Sequence, residues 1–190
     1  MKPGQSIEGL LSEILAHYLA VISFSRGAVY LVDGASHLKL SGQIGFPQSS
    51  ESALTEFFGS ADVLREVMAC EEPTMFSTPA ADARFQALLT HAAVRSVIIA
   101  PLSFEGRALG VIALFSETRE LYPEWVYLSK LIHGQISQAV ALWQTIFQLK
   151  YLAEYDPLTG MANRSRLTER LQQLLGAEKA PLELALLRVN

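Results

Sequence analysis

The residues able to do chemistry in this chain are few and scattered. The single cysteine, Cys70, precedes Glu71 and Glu72, neighbours whose negative charge does not favour a reactive thiolate. An inert, mostly buried thiol is expected, the usual state of a free cysteine. The four histidines, His17, His37, His91 and His133, stand at unrelated spacings with no second ligand one helical turn away, so no metal site is expected. The densest polar and aromatic group is Phe76, Ser77, Arg84, Phe85, His91 and Arg95. Aromatic walls with a few convergent polar groups are what a small-molecule pocket needs. The competing reading packs both phenylalanines into a core and leaves both arginines in water. Around these residues, Glu51, Glu56, Asp62, Glu66, Glu71 and Glu72 against Arg65 leave a net charge of −5, a solvated face that would repel a phosphate-rich ligand.

Composition narrows the partners. The chain has 190 residues, half of them hydrophobic and 18% charged, enough to build a core without disulfides or metals. Lys and Arg number 15 against 19 for Asp and Glu, for a net charge of −4. No basic stripe is present to neutralise a phosphate backbone, so nucleic acid is not an expected partner. No apolar run approaches the ~20 residues that cross a bilayer. Glu8 and Glu13 interrupt the apolar N-terminus, which argues against a secretory leader. The expectation is a soluble, cytoplasmic chain with no membrane segment.

The elements that would position these residues follow from periodicity. Ile7, Leu10, Leu11, Ile14, Leu15, Tyr18, Leu19 and Ile22 form the stripe of an amphipathic helix, with Ser6 as its N-cap. Ala28 to Val32, the turn Asp33-Gly34, and Leu38 onward predict a β-hairpin. Short helices are expected at Leu54–Phe58, Val63–Met68 and Arg84–Ala92, with a brief extended stretch at Thr74–Phe76. Val94–Leu102 and Leu109–Phe115 predict two antiparallel strands across the turn Glu105-Gly106-Arg107. Trp125 to Glu154 contains neither proline nor a turn cluster and predicts one long helix. The fold class is α+β, an antiparallel sheet with helices packed on one face and a long C-terminal helix. After Tyr155 comes a turn, then a helix from Asn163 to Leu175 and the beginning of a strand at Leu182–Val189. Such a piece is too small to bury a core alone and reads as the start of a truncated second domain.

Two segments carry resemblances. Ala100-Pro101-Leu102, Gly106-Arg107 and Gly110-Val111-Ile112-Ala113-Leu114, with Ile44-Gly45-Phe46-Pro47 after the first hairpin, resemble a GAF domain over residues 6–148. The resemblance implies a sensory domain at residues 1–148 whose pocket lies above the sheet, lidded by the segment holding Phe76 to Arg95. The Asn-Lys-Phe-Asp-Glu pattern of cyclic-nucleotide-binding GAF domains is not found. Cys70 is followed by Glu71 rather than the histidine usual in bilin-attaching relatives, so neither ligand is expected.

The second resemblance is to the opening of the GGDEF family, carried by Asp156, Pro157, Leu158, Thr159, Gly160, Asn163 and Arg164, with Met161 in place of that family's leucine. It implies that residues 156–190 begin a GGDEF domain behind a helical linker at residues 149–155. Members of that family join two GTP molecules into cyclic di-GMP across a dimer, so the complete enzyme would need magnesium and GTP. By spacing, the first metal-holding aspartate of the family falls on Asn190, a departure that would weaken a hard-cation site. This chain is therefore expected to turn over no nucleotide itself and to hold no metal or cofactor.

The long helix suggests how the two parts communicate. Leu128, Ile132, Gln135, Ala139, Leu142, Ile146, Leu149 and Ala153 alternate steps of 4 and 3, the spacing of a coiled-coil seam. The expectation is a parallel homodimer through this helix, its state passed from a GAF domain, with or without a small-molecule ligand, to a GGDEF output domain. The alternatives are a ligand-free dimerisation module, or the sensor of a cyclic di-GMP phosphodiesterase that carries a degenerate GGDEF segment. The competing origin of the spacing is a broad stripe buried within one chain.

Overall fold

The computed structural model describes residues 7–21, 24–70, 72–118 and 122–175. Helix α1 (Ile7–Val21) leads into strands β1 (Arg26–Val32) and β2 (Leu38–Ile44). Helices α2 (Glu51–Thr55) and α3 (Ala61–Met68), strand β3 (Thr74–Ser77) and helix α4 (Ala83–His91) follow. Strands β4 (Ser96–Phe104) and β5 (Arg107–Ser116), then helices α5 (Pro123–Glu154) and α6 (Arg164–Leu175), complete the order. The strands form one sheet in the order β2-β1-β5-β4-β3, and every neighbouring pair is antiparallel.

Strand alternation divides the core in two. Ala28 and Tyr30 point to the face covered by α2, α3 and α4, where they meet Phe57, Val63, Leu64, Val67, Phe85, Leu88 and Leu89. Val29 and Leu31 point to the other face, where the two long helices gather, contributing Leu11 and Leu15 from α1 and Ile132, Ile136 and Val140 from α5. With both faces covered, β4 and β5 carry apolar residues at successive positions, which is why they read as unbroken hydrophobic runs rather than alternating ones.

Two glycines of the GAF-like pattern have a steric reason. Gly45 has φ +81°, and a Cβ there would lie 2.4 Å from the Ser25 carbonyl oxygen. Gly110 faces Leu31 across β1 and β5, and a Cβ there would lie 2.0 Å from the Tyr30 carbonyl oxygen. No other residue fits either approach.

The helix expected at Leu54–Phe58 is a correction. α2 ends at Thr55, and Phe57, Phe58 and Gly59 turn through left-handed backbone with φ of 48°, 51° and 79°. That reversal drives the fully buried Phe57 ring edge-on against Tyr30. Ser6, the strand start at Leu182–Val189 and Asn190 lie outside the described residues. The chain divides into two compact units between Leu142 and Trp143.

Candidate functional site

The face of the sheet under α2–α4 is built largely from aromatic rings. The Tyr30 hydroxyl donates to the Leu54 carbonyl at 2.6 Å, and burial pushes its pKa well above the usual tyrosine value. Phe46 meets Phe115 edge-on at 5.3 Å. Phe76 from β3 stacks on Phe85 from α4, so the structure brings these two residues together. Ser77 ends β3 opposite Ser96.

Of the polar residues of the set, Arg84 lies over the Phe85 ring at 5.9 Å from its centroid, and its charge is met by carboxylates. Arg84 reaches Asp82 at 2.8 Å, Asp62 at 2.9 Å and Glu66 at 3.0 Å, tying α4 to α3. Its hydrogen bonds hold the Asp62 and Asp82 carboxyls below the usual carboxylate range. Those carboxylates in turn raise the Arg84 pKa, Asp82 most. Asp82 also caps α4, accepting from the Arg84 amide at 2.8 Å. The exposed His91 bonds through Nδ1 to the Ala87 carbonyl one turn back. Arg95 has an exposed side chain, and its main-chain carbonyl accepts from Thr78 at 2.9 Å. Among the described contacts, none joins Ser77, His91 or Arg95 to the Phe76–Phe85 stack.

Cys70 is exposed, not mostly buried as expected. α3 ends at Met68, so Cys70 falls past the buried stripe of Val63, Leu64 and Val67 and bonds to the Glu66 carbonyl at 3.4 Å. Sequence reasoning also missed Arg26, which donates to the Ala92 carbonyl at 2.6 Å, pairs with Glu117 at 3.5 Å and lies over the Phe46 ring. A lone arginine opening an apolar strand was the available signal, since such a charge needs partners.

α5 divides the proposed seam. In the first unit Ile132 is 4% exposed and belongs with Ile136 and Val140 to the chain's own core, and Leu128 packs against the same cluster. Ser137 holds the helix to β4 by accepting from the Ser103 amide at 3.1 Å. For Leu128 and Ile132 the buried-stripe reading is therefore the right one. Ala139 is half-buried, Gln135 and Gln138 are exposed, and Gln135 accepts from the Tyr18 hydroxyl. Leu142 is 60% exposed. In the second unit Ile146, Leu149 and Leu152 are exposed, as are Thr145 and Ala153.

The segment 156–164 is a self-contained turn. Asp156 Oδ1 accepts from the Thr159 amide and hydroxyl, each at 2.8 Å, and from the Leu158 amide at 3.1 Å. These bonds, the Thr159 amide foremost, keep its carboxyl below the usual range. Gly160, at φ +67°, donates to the Asp156 carbonyl at 2.8 Å. Asn163 Nδ2 reaches back to the Ala153 carbonyl at 2.7 Å, while its Oδ1 accepts from the Arg166 amide at 3.1 Å and caps α6. Arg166 pairs with Glu154 and covers the Tyr155 ring. Arg164 opens α6, exposed. The polar groups thus tie the end of α5 to the start of α6, while Leu158 and Met161 stay 93% and 70% exposed. A groove of about 600 Å³ beside this clip is lined by both signs of charge, with Lys150, Arg166 and Arg170 against Glu154 and Glu169. Among the described residues no group of acidic, histidine or cysteine side chains could hold a metal ion, and no helix is long and apolar enough to cross a membrane.

A five-stranded antiparallel sheet between two long helices and a set of short ones is the architecture of a small sensory domain. A family model described as GAF domain matches residues 4–141, and the chain belongs to the GAF domain family. Solved structures of similar fold include a domain attributed to a two-component sensor histidine kinase of Sinorhizobium meliloti 1021. At 13% identity and a TM-score of 0.62, the match covers 77% of this chain and 99% of that one. A GAF domain/HD domain protein from Geobacter sulfurreducens matches at 12% identity and a TM-score of 0.59, over 75% and 97% of the two chains. The GAF3 domain of Slr1393 from Synechocystis sp. PCC6803, in its photoproduct state, matches at 14% identity and a TM-score of 0.58, over 76% and 99%. At these identities the likeness is one of fold. Among curated proteins, none matches this chain.

Proposed function

We propose that this GAF domain is the sensory module of a cyclic di-GMP signalling protein. It dimerises through α5, and its state passes along that helix into a GGDEF output domain whose first segment is residues 156–190. The cyclase so regulated would draw on magnesium and GTP. The observation that carries this reading is the clip at Asp156–Asn163, where the polar groups of the GGDEF-like segment fasten α6 to the last turn of α5. A rotation or translation of α5 is then delivered to whatever α6 belongs to.

The test joins the chain to a complete GGDEF domain at α6 and measures cyclic di-GMP made from GTP and magnesium. Asn163→Ala, which cuts the clip, should uncouple output from changes in the GAF domain while the fold of that domain stays intact. Equal regulation with and without Asn163 would overturn the relay.

A second reading is a GAF domain that dimerises without a ligand. It is favoured by Phe57, Phe76 and Phe85 packing on their neighbours, and by Arg84 being held by three carboxylates. A small molecule that raises the melting temperature in proportion to its concentration, less so in Arg95→Ala, would decide for a ligand.

A further inference from the structure

The sheet stands between α2–α4 on one side and α1 with the first part of α5 on the other, so a contact joining the two sides has to pass round an edge or an end of it. Lys130 on α5 pairs with Glu72, beyond α3, at 3.0 Å. Both side chains are in water, and such a pair holds little. Arg26 is different. It opens β1, its side chain is only 21% exposed, and it lies where the end of α4 and the exit from β5 come together.

Ala92 follows the last turn of α4, and its carbonyl is one of those that a helix end leaves without a partner inside the helix. Arg26 Nη1 donates to it at 2.6 Å, which also sets a positive charge at the negative end of the helix dipole. Nη2 of the same group faces the Glu117 carboxylate at 3.5 Å, just past the end of β5, and the guanidinium covers the Phe46 ring. The segment carrying Glu117 is itself pinned. Ser96 and Ser116, fully buried and opposite one another on β4 and β5, bond to the Thr118 carbonyl and hydroxyl at 2.8 and 2.9 Å. α5 opens nearby in the chain at Pro123, and its Trp125 packs on Phe24 at 5.0 Å, two residues before Arg26.

We infer that Arg26 is the joint between α4 and the lead-in of α5, so that a displacement of the α4 end is passed to Glu117 and from there to the start of the long helix. The guanidinium is a rigid planar fork; it cannot turn to follow the Ala92 carbonyl without moving away from Glu117. Because most of the side chain is out of water, a lost partner is not simply replaced by solvent. Arg26 is thus a positioning residue. Its use rests on the relay reading above and gives that relay its first step, whereas its geometry stands apart from the clip at Asp156–Asn163.

Hydrogen exchange followed amide by amide in the full chain tests this. The Ala92 and Val94 amides, bonded to the Leu88 and Leu89 carbonyls, report the end of α4, and the Trp125 amide, bonded to the Tyr122 carbonyl, reports the start of α5. Glu117→Gln should speed exchange at Ala92 and Val94 by about fivefold, the low end of couplings between sites. Asp82→Ala, which uncaps α4 at its far end, should speed exchange at Trp125 by a similar factor. Both cross-effects should vanish in an Arg26→Gln background. Arg26→Lys keeps the charge and the fold but has no fork, and should lose them as well, so the test survives if Arg26→Gln does not fold. Cross-effects that are absent from the parent protein, or of equal size with and without Arg26, overturn the joint and leave the relay to its own test. Cross-effects that need Arg26, in a fusion whose cyclic di-GMP output ignores Arg26→Lys, support the joint and overturn the relay.

Discussion

The sheet face under α2–α4 and the outer stripe of α5 use their side chains in opposite ways. Beneath the short helices nearly every group is spent within the chain, with rings on rings, Tyr30 on the Leu54 carbonyl and Arg84 on its carboxylates. Along α5 beyond Val140, Leu142, Ile146 and Leu149 are left in solvent. The first region is closed within the chain, whereas the second leaves aliphatic side chains in solvent, the surface on which the proposed pairing rests. Aromatic and polar residues near a pocket position therefore say less about function here than plain aliphatic residues on a helix.

The contrast can be broken most forcefully at the stripe. In the proposed dimer, Leu142→Glu with Ile146→Glu would place two unpaired charges from each protomer in the seam, at several kcal/mol per ion. The dimer should dissociate in light scattering, while the melting transition of the GAF unit stays put. Phe85→Ala should do the reverse, costing about 3–5 kcal/mol in urea unfolding with no effect of its own on pairing. Tyr30→Phe removes the buried bond to Leu54 and should cost about 1–2 kcal/mol by the same measurement. Asn163→Ala should cost α6 about 1 kcal/mol of capping, read as faster exchange of the Arg166 amide.

Acid gives the smallest effect. Asp62 and Asp82 have lowered pKa values because of Arg84. Their contribution is present above the unfolded carboxylate pKa of about 4 and disappears as pH falls through the folded values. Stability followed from about pH 6 to pH 3 should fall less in Arg84→Met than in the parent protein.

Much of the scaffold could be read in advance because local pattern and final packing agree. The hairpin at Asp33-Gly34, the β4–β5 pair and the long helix all lie where turn residues and apolar periods put them. The reversal at Phe57–Gly59 was hidden, since burial of one ring against Tyr30 overrides the helical preference of its neighbours. On α5 the spacing of 4 and 3 was visible, but not which residues the sheet would claim. Leu128 and Ile132 went to the chain's own core because β4 and β5 present Ile98, Leu102 and Ile112 to them, a fact of tertiary placement that one-dimensional periodicity does not contain. The pocket set gathered Arg84 with Phe85, and the guanidinium does lie over that ring, but the three carboxylates that also hold it come from α3 and the α4 cap, which local spacing did not reveal.

The left-handed turn at Phe57 and Phe58 is a loaded spring. Two non-glycine residues held there cost together about 2–4 kcal/mol, and burial of the Phe57 ring keeps them in place. Relaxing the turn recovers that strain only by giving up the larger burial of the Phe57 ring, so the strained form is the populated one. A ligand that prefers the relaxed form therefore binds more weakly, by the fraction of molecules in that form, unless the ring has first lost its seat against Tyr30.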